Sequence, residues 1–128
     1  MNYLELYNDV LLVVLEERPT NADRLLKAMN NRPVILNALE KGDDGKHLAQ
    51  FTLETLDDLI ENNLIKGNVH STKDGNVYTI ERLTTAGHLY LNELQKPGFK
   101  EKLMDTLREE GIPMTPQGIT KFIAKLSL

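Results

Sequence analysis

The chain has 128 residues, 41% of them hydrophobic and 27% charged, with no cysteine and a formal net charge of -4. That length is enough for one domain with a hydrophobic core of its own, and the lack of cysteine excludes a disulfide framework, thiolate metal sites and a cysteine nucleophile while fitting a reducing compartment. The longest apolar run, Val10 to Leu15, is too short to span a bilayer, and Glu5 and Asp9 stand where a secretory signal carries positive charge, so a cytoplasmic protein with no membrane role is expected.

The first helix is predicted over about Tyr3 to Glu17, because Leu4, Tyr7, Leu11 and Val14 recur at three- and four-residue spacing and Pro19 stops the pattern. Val10, Val13 and Leu15 widen its apolar face, which implies either a central place in the core or contact with a second copy in a homodimer. Thr20 is read as the start of a second helix, with Asp23 three residues on as an imperfect capping box and Leu25, Leu26 and Met29 facing inward. "PVILNALEKG" suits a short helix with Pro33 in its first turn and Gly42 at its stop, a buried strand being the weaker alternative. "GDDGKHLAQ" reads as a loop. "TLETLDDLIENN" then reads as a helix capped by Thr52, with Leu53, Leu56, Leu59, Ile60 and Leu64 on one side and Asn63 in the left-handed conformation that ends it.

"GNVHSTKDGNVYTIERL", residues 67 to 83, is the one stretch with strand character. A two-residue turn at Asp74-Gly75 sets Val69 against Ile80 and Ser71 against Tyr78, so that Val69, Tyr78 and Ile80 share a face, with His70, Thr72, Val77 and Thr79 on the other. A three-residue loop would set Val69 against Thr79 and bury less apolar surface. An isolated hairpin is marginal in water, so this one must lie on helices. "LTTAGHLYLNEL" follows as a helix capped by Thr84 and broken at Pro97-Gly98. Phe99, Leu103 and Leu107 mark the next helix, which Gly111 ends. A last helix is predicted with Thr115 as cap, Pro116 in its first turn and Ile119, Phe122, Ile123 and Leu126 as its apolar stripe.

The order of elements, with "LDDLIENNLIKG" leading into a hairpin and "RLTTAGHLYL" leading out of it, resembles a winged helix. "GHLYLNEL" and "LMDTLREEGIPMTPQGITKFIAKL" are further similar to the YjcQ-like group, uncharacterised winged-helix proteins of bacteria and their phages. The resemblance implies a mainly α fold with one β-hairpin: a winged helix-turn-helix core over about residues 3–95 and a C-terminal helical extension over about 97–128, in one domain. It implies a DNA-associated regulatory role and supplies no catalytic residue.

No motif for catalysis is legible. Ser71 and Ser127 lie outside any nucleophile elbow, and His47, His70 and His88 lack the spacing that sets two ligands on one helical face. "DDGKH" lacks the alternating oxygen ligands of a calcium loop. The expectation is therefore a protein that is not an enzyme and that uses no metal or cofactor. Charge is the informative property. Residues 40 to 65 carry seven acids (Glu40, Asp43, Asp44, Glu54, Asp57, Asp58 and Glu61) against Lys41 and Lys46, a net charge of -5. In a winged helix the helix before the hairpin, the third of the fold, enters the major groove. Here Glu54, Asp57, Asp58 and Glu61 oppose phosphate on that helix, while Arg24, Lys27 and Arg32 around the second helix and Lys66 and Lys73 on the hairpin favour it. The competing expectation is a protein-docking module without DNA binding, in which the acidic helix, meeting a basic partner, or the apolar helical faces carry the contact.

Overall fold

The computed structural model describes residues 2–112; the predicted last helix, with Thr115 and the stripe from Ile119 to Leu126, lies outside them. Among the described residues the elements run α1 (Tyr3–Glu17), α2 (Ala22–Met29), α3 (Pro33–Glu40), α4 (Gly45–Glu61), β1 (Ile65–Thr72), β2 (Gly75–Leu83), α5 (Thr85–Leu94) and α6 (Phe99–Glu109). The described residues are thus mainly helical, with one two-stranded antiparallel hairpin. None of these helices is long and apolar enough to cross a membrane.

Helix α1 is the axis of the core. Leu6 through Leu11 are all buried, and α1 packs against α2, α3, α4, α5 and β2. Val10, Val13 and Val14 of its wide apolar face are buried within the chain, while Leu15 is exposed. Its end is set by Pro19, which disfavours right-handed helical geometry in the residue before it. Arg18 accordingly turns to φ 49°, ψ 53°.

The cap of α2 is Asn21, whose side chain accepts from the Arg24 amide at 2.9 Å, and not Thr20. Thr20 instead turns its carbonyl to the Ile80 amide at 3.0 Å, while Asn21 bridges Thr79, so this connection runs along β2 like a short extra strand. Of the three residues predicted inward, Leu25 and Met29 are buried and Leu26 is half-buried. Helix α3 forms as the helical reading requires, with Pro33 at its start.

Two predictions fail at α4 and the hairpin. The stretch read as the loop "GDDGKHLAQ" is helical from Gly45 onward, capped by the Asp44 carboxylate, which accepts from the Lys46 amide at 3.1 Å. Thr52 is an interior residue, fully buried, and its hydroxyl donates to the Leu48 carbonyl at 2.8 Å. This backbone bond one turn back lets a threonine sit inside a helix as well as at its cap. The end is as expected, with Asn63 at φ 60°.

In the hairpin, the turn is Lys73-Asp74 and the pairs are Thr72 with Gly75, His70 with Val77, Val69 with Tyr78 and Gly67 with Ile80. Both registers considered from sequence are therefore wrong. A turn centred on Asp74-Gly75 would need a left-handed aspartate. The observed one needs positive φ only at Gly75, which takes +114°, and the Thr72 hydroxyl donates to the Gly75 carbonyl at 2.6 Å. The displacement from the expected register is two residues, an even number, so every side chain stays on its predicted face. Tyr78 and Ile80 are buried, Val69 is half-buried, and Val77 on the other face is 52% exposed. A bulge between Lys66 and Gly67 leaves Glu81 without a cross-strand partner and brings Leu83 opposite Ile65, both buried.

The two motif stretches flanking the hairpin hold each other. Thr84 caps α5 by accepting from the Gly87 amide at 3.0 Å, and its hydroxyl donates to the carbonyls of Asn63 and Leu64 at the exit of α4. Gly87 sits so close that an added Cβ would overlap the Leu64 carbonyl oxygen. "ENNLI" and "LTTAG" are thus one joint, in which the start of α5 closes on the end of α4.

Candidate functional site

Helix α4 rests on β1, α1, α2 and α3 through Leu48, Thr52, Thr55, Leu56 and Leu59, all buried. Its outward side is divided along its length. The first two turns present Lys46, His47 and Gln50, all exposed; the remainder presents Glu54 and Glu61, exposed, with Asp57 and Asp58 half-buried between them. Gln50 donates to Glu54 at 3.3 Å where the two halves meet. The extension of α4 back to Gly45 therefore confines the four acids to its carboxyl-terminal half. Sequence reading misses Lys46, His47 and Gln50 as helix-face residues. The available signal is Asp44 as a cap followed by Leu48, Thr52, Thr55 and Leu59 at helical spacing.

The acids crowd one another. Partial burial raises the Asp57 carboxyl above its ordinary range, with Glu61 adding to the effect. The same causes push Asp58 up to about 6: loss of water first, then Glu61, Asp57 and Glu54. On the core side lies the Tyr7 phenol, raised by burial and further by Asp58 and Tyr90. The hydroxyls of Tyr7 and Tyr90 are both buried without a hydrogen-bond partner among the described residues.

The predicted basic residues are not one patch. Arg24 and Lys27 lie one turn apart on α2, both exposed, and Lys27 pairs with Asp23 at 3.2 Å in a solvated pair that contributes little. Arg32 is not available to phosphate in the way expected of a surface base. Its guanidinium donates to the Asp9 carboxylate at 3.0 Å, and Asp9 is buried on α1. That hydrogen bond raises the Arg32 pKa, the charge of Asp9 adding to it, and keeps the residue as the counter-ion of a core carboxylate. The network continues through Asn8, which donates to Asp9 at 3.4 Å and accepts from Gln95 at 2.6 Å, tying α1 to the end of α5. Lys66 and Lys73 are exposed at opposite ends of β1, roughly 23 Å apart at the usual rise per residue. Arg82, opposite Lys66 on β2 and also exposed, is a base that sequence reading left out.

Two recesses flank α3. A groove of about 540 Å³ is lined by residues of α1 and α3 and by Met104 of α6. A smaller one of about 80 Å³ lies between α2, α3 and the start of α4. Among the described residues, no three His, Cys, Asp or Glu side chains are grouped to hold a metal ion. His47, His70 and His88 are each exposed, on α4, β1 and α5. Searches of family models, curated proteins and solved structures return no match.

Proposed function

We propose that the chain is a non-enzymatic winged-helix module, of the bacterial or phage kind its motifs resemble, that associates with duplex DNA through the amino-terminal half of α4. The observation that carries this reading is the start of α4 at Gly45 under the Asp44 cap. Helices that enter the major groove contact base edges with their amino-terminal residues. On α4 those positions hold Lys46, His47 and Gln50, and lysine and glutamine are side chains that reach guanine and adenine edges or phosphate. The acids that argue against DNA from the sequence all lie further along α4. The order α1, the bridge of Thr20 and Asn21 to β2, α2, α3, α4 and hairpin supports the same reading, with β1 and β2 as the wing and Lys66, Lys73 and Arg82 as its bases.

The crowding of Glu54, Asp57, Asp58 and Glu61 favours a second reading, in which the far half of α4 docks a basic protein. The two separate at the same residues. For a DNA module, Lys46→Ala and Gln50→Ala weaken binding to duplex DNA, and Asp57→Lys with Asp58→Lys strengthens it. Lys46→Ala also lowers the slope of log affinity against log salt by about 0.9, the value of one phosphate contact. For a docking module, the lysine substitutions abolish binding to a basic peptide and the Lys46 change does nothing. Unchanged DNA affinity in both Lys46→Ala and Gln50→Ala contradicts the proposed reading.

A further inference from the structure

The base of the hairpin sets two cations against each other. Lys66 of β1 and Arg82 of β2 are Cα partners in the antiparallel register, and both are exposed. Residues directly opposite in such a pair project from the same face with Cβ atoms about 4.5–5.5 Å apart, and like charges there repel. Among the described residues the basic members of the ion pairs are Lys27, Arg32, Lys96 and Arg108, so neither Lys66 nor Arg82 is held by an acid. Glu81, next to Arg82 in sequence, sits in the bulge and pairs with neither. The pair is fixed from both sides. Ile65 and Leu83, one step further from the turn, are buried opposite each other. Gly67, one step nearer to it, lies so close to β2 that an added Cβ would overlap the Thr79 carbonyl oxygen. Arg82 is itself oriented, because one Nη donates to the Leu83 carbonyl at 3.1 Å. Arginine carries five N–H donors in a planar fork that matches phosphate, so that bond leaves donors for an anion.

We propose that Lys66 and Arg82 together grip a single phosphate group, a phosphodiester of duplex DNA, across the two strands at the base of the hairpin. An anion lying between the two charges replaces their mutual repulsion by attraction to both, so binding gains from the repulsion it relieves. Lys73, at the other end of β1 and roughly 23 Å away, is too distant to share that phosphate and meets another or none. The bulge beside the pair bends and twists the strand locally, which aims side chains out of the regular pleat. That the phosphate belongs to DNA rests on the DNA-associated reading above; that the pair takes a phosphate-like anion rests on the register and the unpaired charges alone.

Lys66→Gln, Arg82→Gln and the double variant test the proposal in the full-length chain, all at exposed positions. Without DNA, exchanging sodium chloride for sodium phosphate at equal ionic strength is expected to raise the Tm of the wild-type protein about 1–2 °C more than that of either single variant. The general stabilising effect of phosphate acts on all the proteins alike, so equal shifts would overturn the anion site. With random-sequence duplex DNA, each single variant is expected to bind more weakly and to keep the slope of log affinity against log salt, because the other base still meets the phosphate. The double variant is expected to reduce that slope by about 0.9, the value of one contact. A reduction of about 0.9 in each single variant and about 1.8 in the double would mean two separate phosphates and overturn the proposal; an unchanged slope in the double would overturn it too. A phosphate-specific rise in Tm together with no salt-sensitive binding of DNA would sink the DNA-associated reading, and with it the phosphodiester as the ligand, while upholding the anion site.

Discussion

Replacing Asp58 with asparagine should stabilise the protein at neutral pH and do little in acid. Asp58 is half-buried on α4 beside Glu61, Asp57 and Glu54, and its carboxyl titrates at about 6 in the folded protein against an ordinary 3.8. The folded value lies above the unfolded one, so the ionised form is the costly one in the fold: stability is greatest below the unfolded value and falls as pH rises through 4 to 6. A shift of about two pKa units corresponds to at most about 3 kcal/mol. The group keeps considerable contact with solvent, and screening brings the expected cost to about 1 kcal/mol. Asp58→Asn should therefore raise the unfolding free energy by about 1 kcal/mol at pH 7.5, a Tm increase of roughly 3–5 °C for a chain of this length. By about pH 4 the gain should shrink to less than half of that. Urea unfolding of both proteins at the two pH values measures it. A gain of equal size at both, or a loss at pH 7.5, would refute the electrostatic reasoning and leave Asp58 with a packing role.

Gly75→Val should lower stability by about 1–2 kcal/mol, since a branched side chain is strained at φ +114° although the space around it is open; an unchanged Tm would reject the turn. Arg32→Ala should cost about 2–3 kcal/mol, somewhat less than for a fully buried pair, because it leaves the Asp9 carboxylate buried with Asn8 alone. Adding Asp9→Asn to it should recover much of that loss, and thermal melts of the single and double variants decide whether Arg32 is a core counter-ion or a free surface base.

The elements legible in the sequence are those whose apolar period and stop signals agree. In α1, leucine, tyrosine and valine recur on the helical period and Pro19 closes the helix, so both ends are found. Asn63, Thr84 and Gly98 likewise mark real boundaries. What misleads is chemistry with two uses. Thr52 has the side chain of a cap, but inside α4 the same hydroxyl bonds one turn back, and two glycines and two aspartates before it imitate a loop although Asp44 is the cap. Asp74-Gly75 has the composition of a two-residue turn, but one positive-φ residue costs less strain than two, which moves the turn to Lys73-Asp74. For the candidate site, charge counting finds the four acids and the exposed bases Arg24, Lys27, Lys66 and Lys73, but not Lys46 or Arg82. It cannot distinguish Arg32 from Arg24, because only folding brings Asp9 against the former, 23 residues away. Nor does it reveal that α4 has a basic and polar front and an acidic rear, since that depends on where the helix starts.

The most direct test of the account is the affinity of the wild-type protein for random-sequence duplex DNA as salt is raised. If Lys46, Lys66 and Lys73 each meet a phosphate, log affinity against log salt should fall with a slope of about -2.7, and affinity should drop roughly 40-fold between 50 and 200 mM salt. A protein that shows no salt-sensitive binding at 50 mM, where charge is least screened, would contradict the DNA-associated reading and leave the acidic half of α4 as the functional surface.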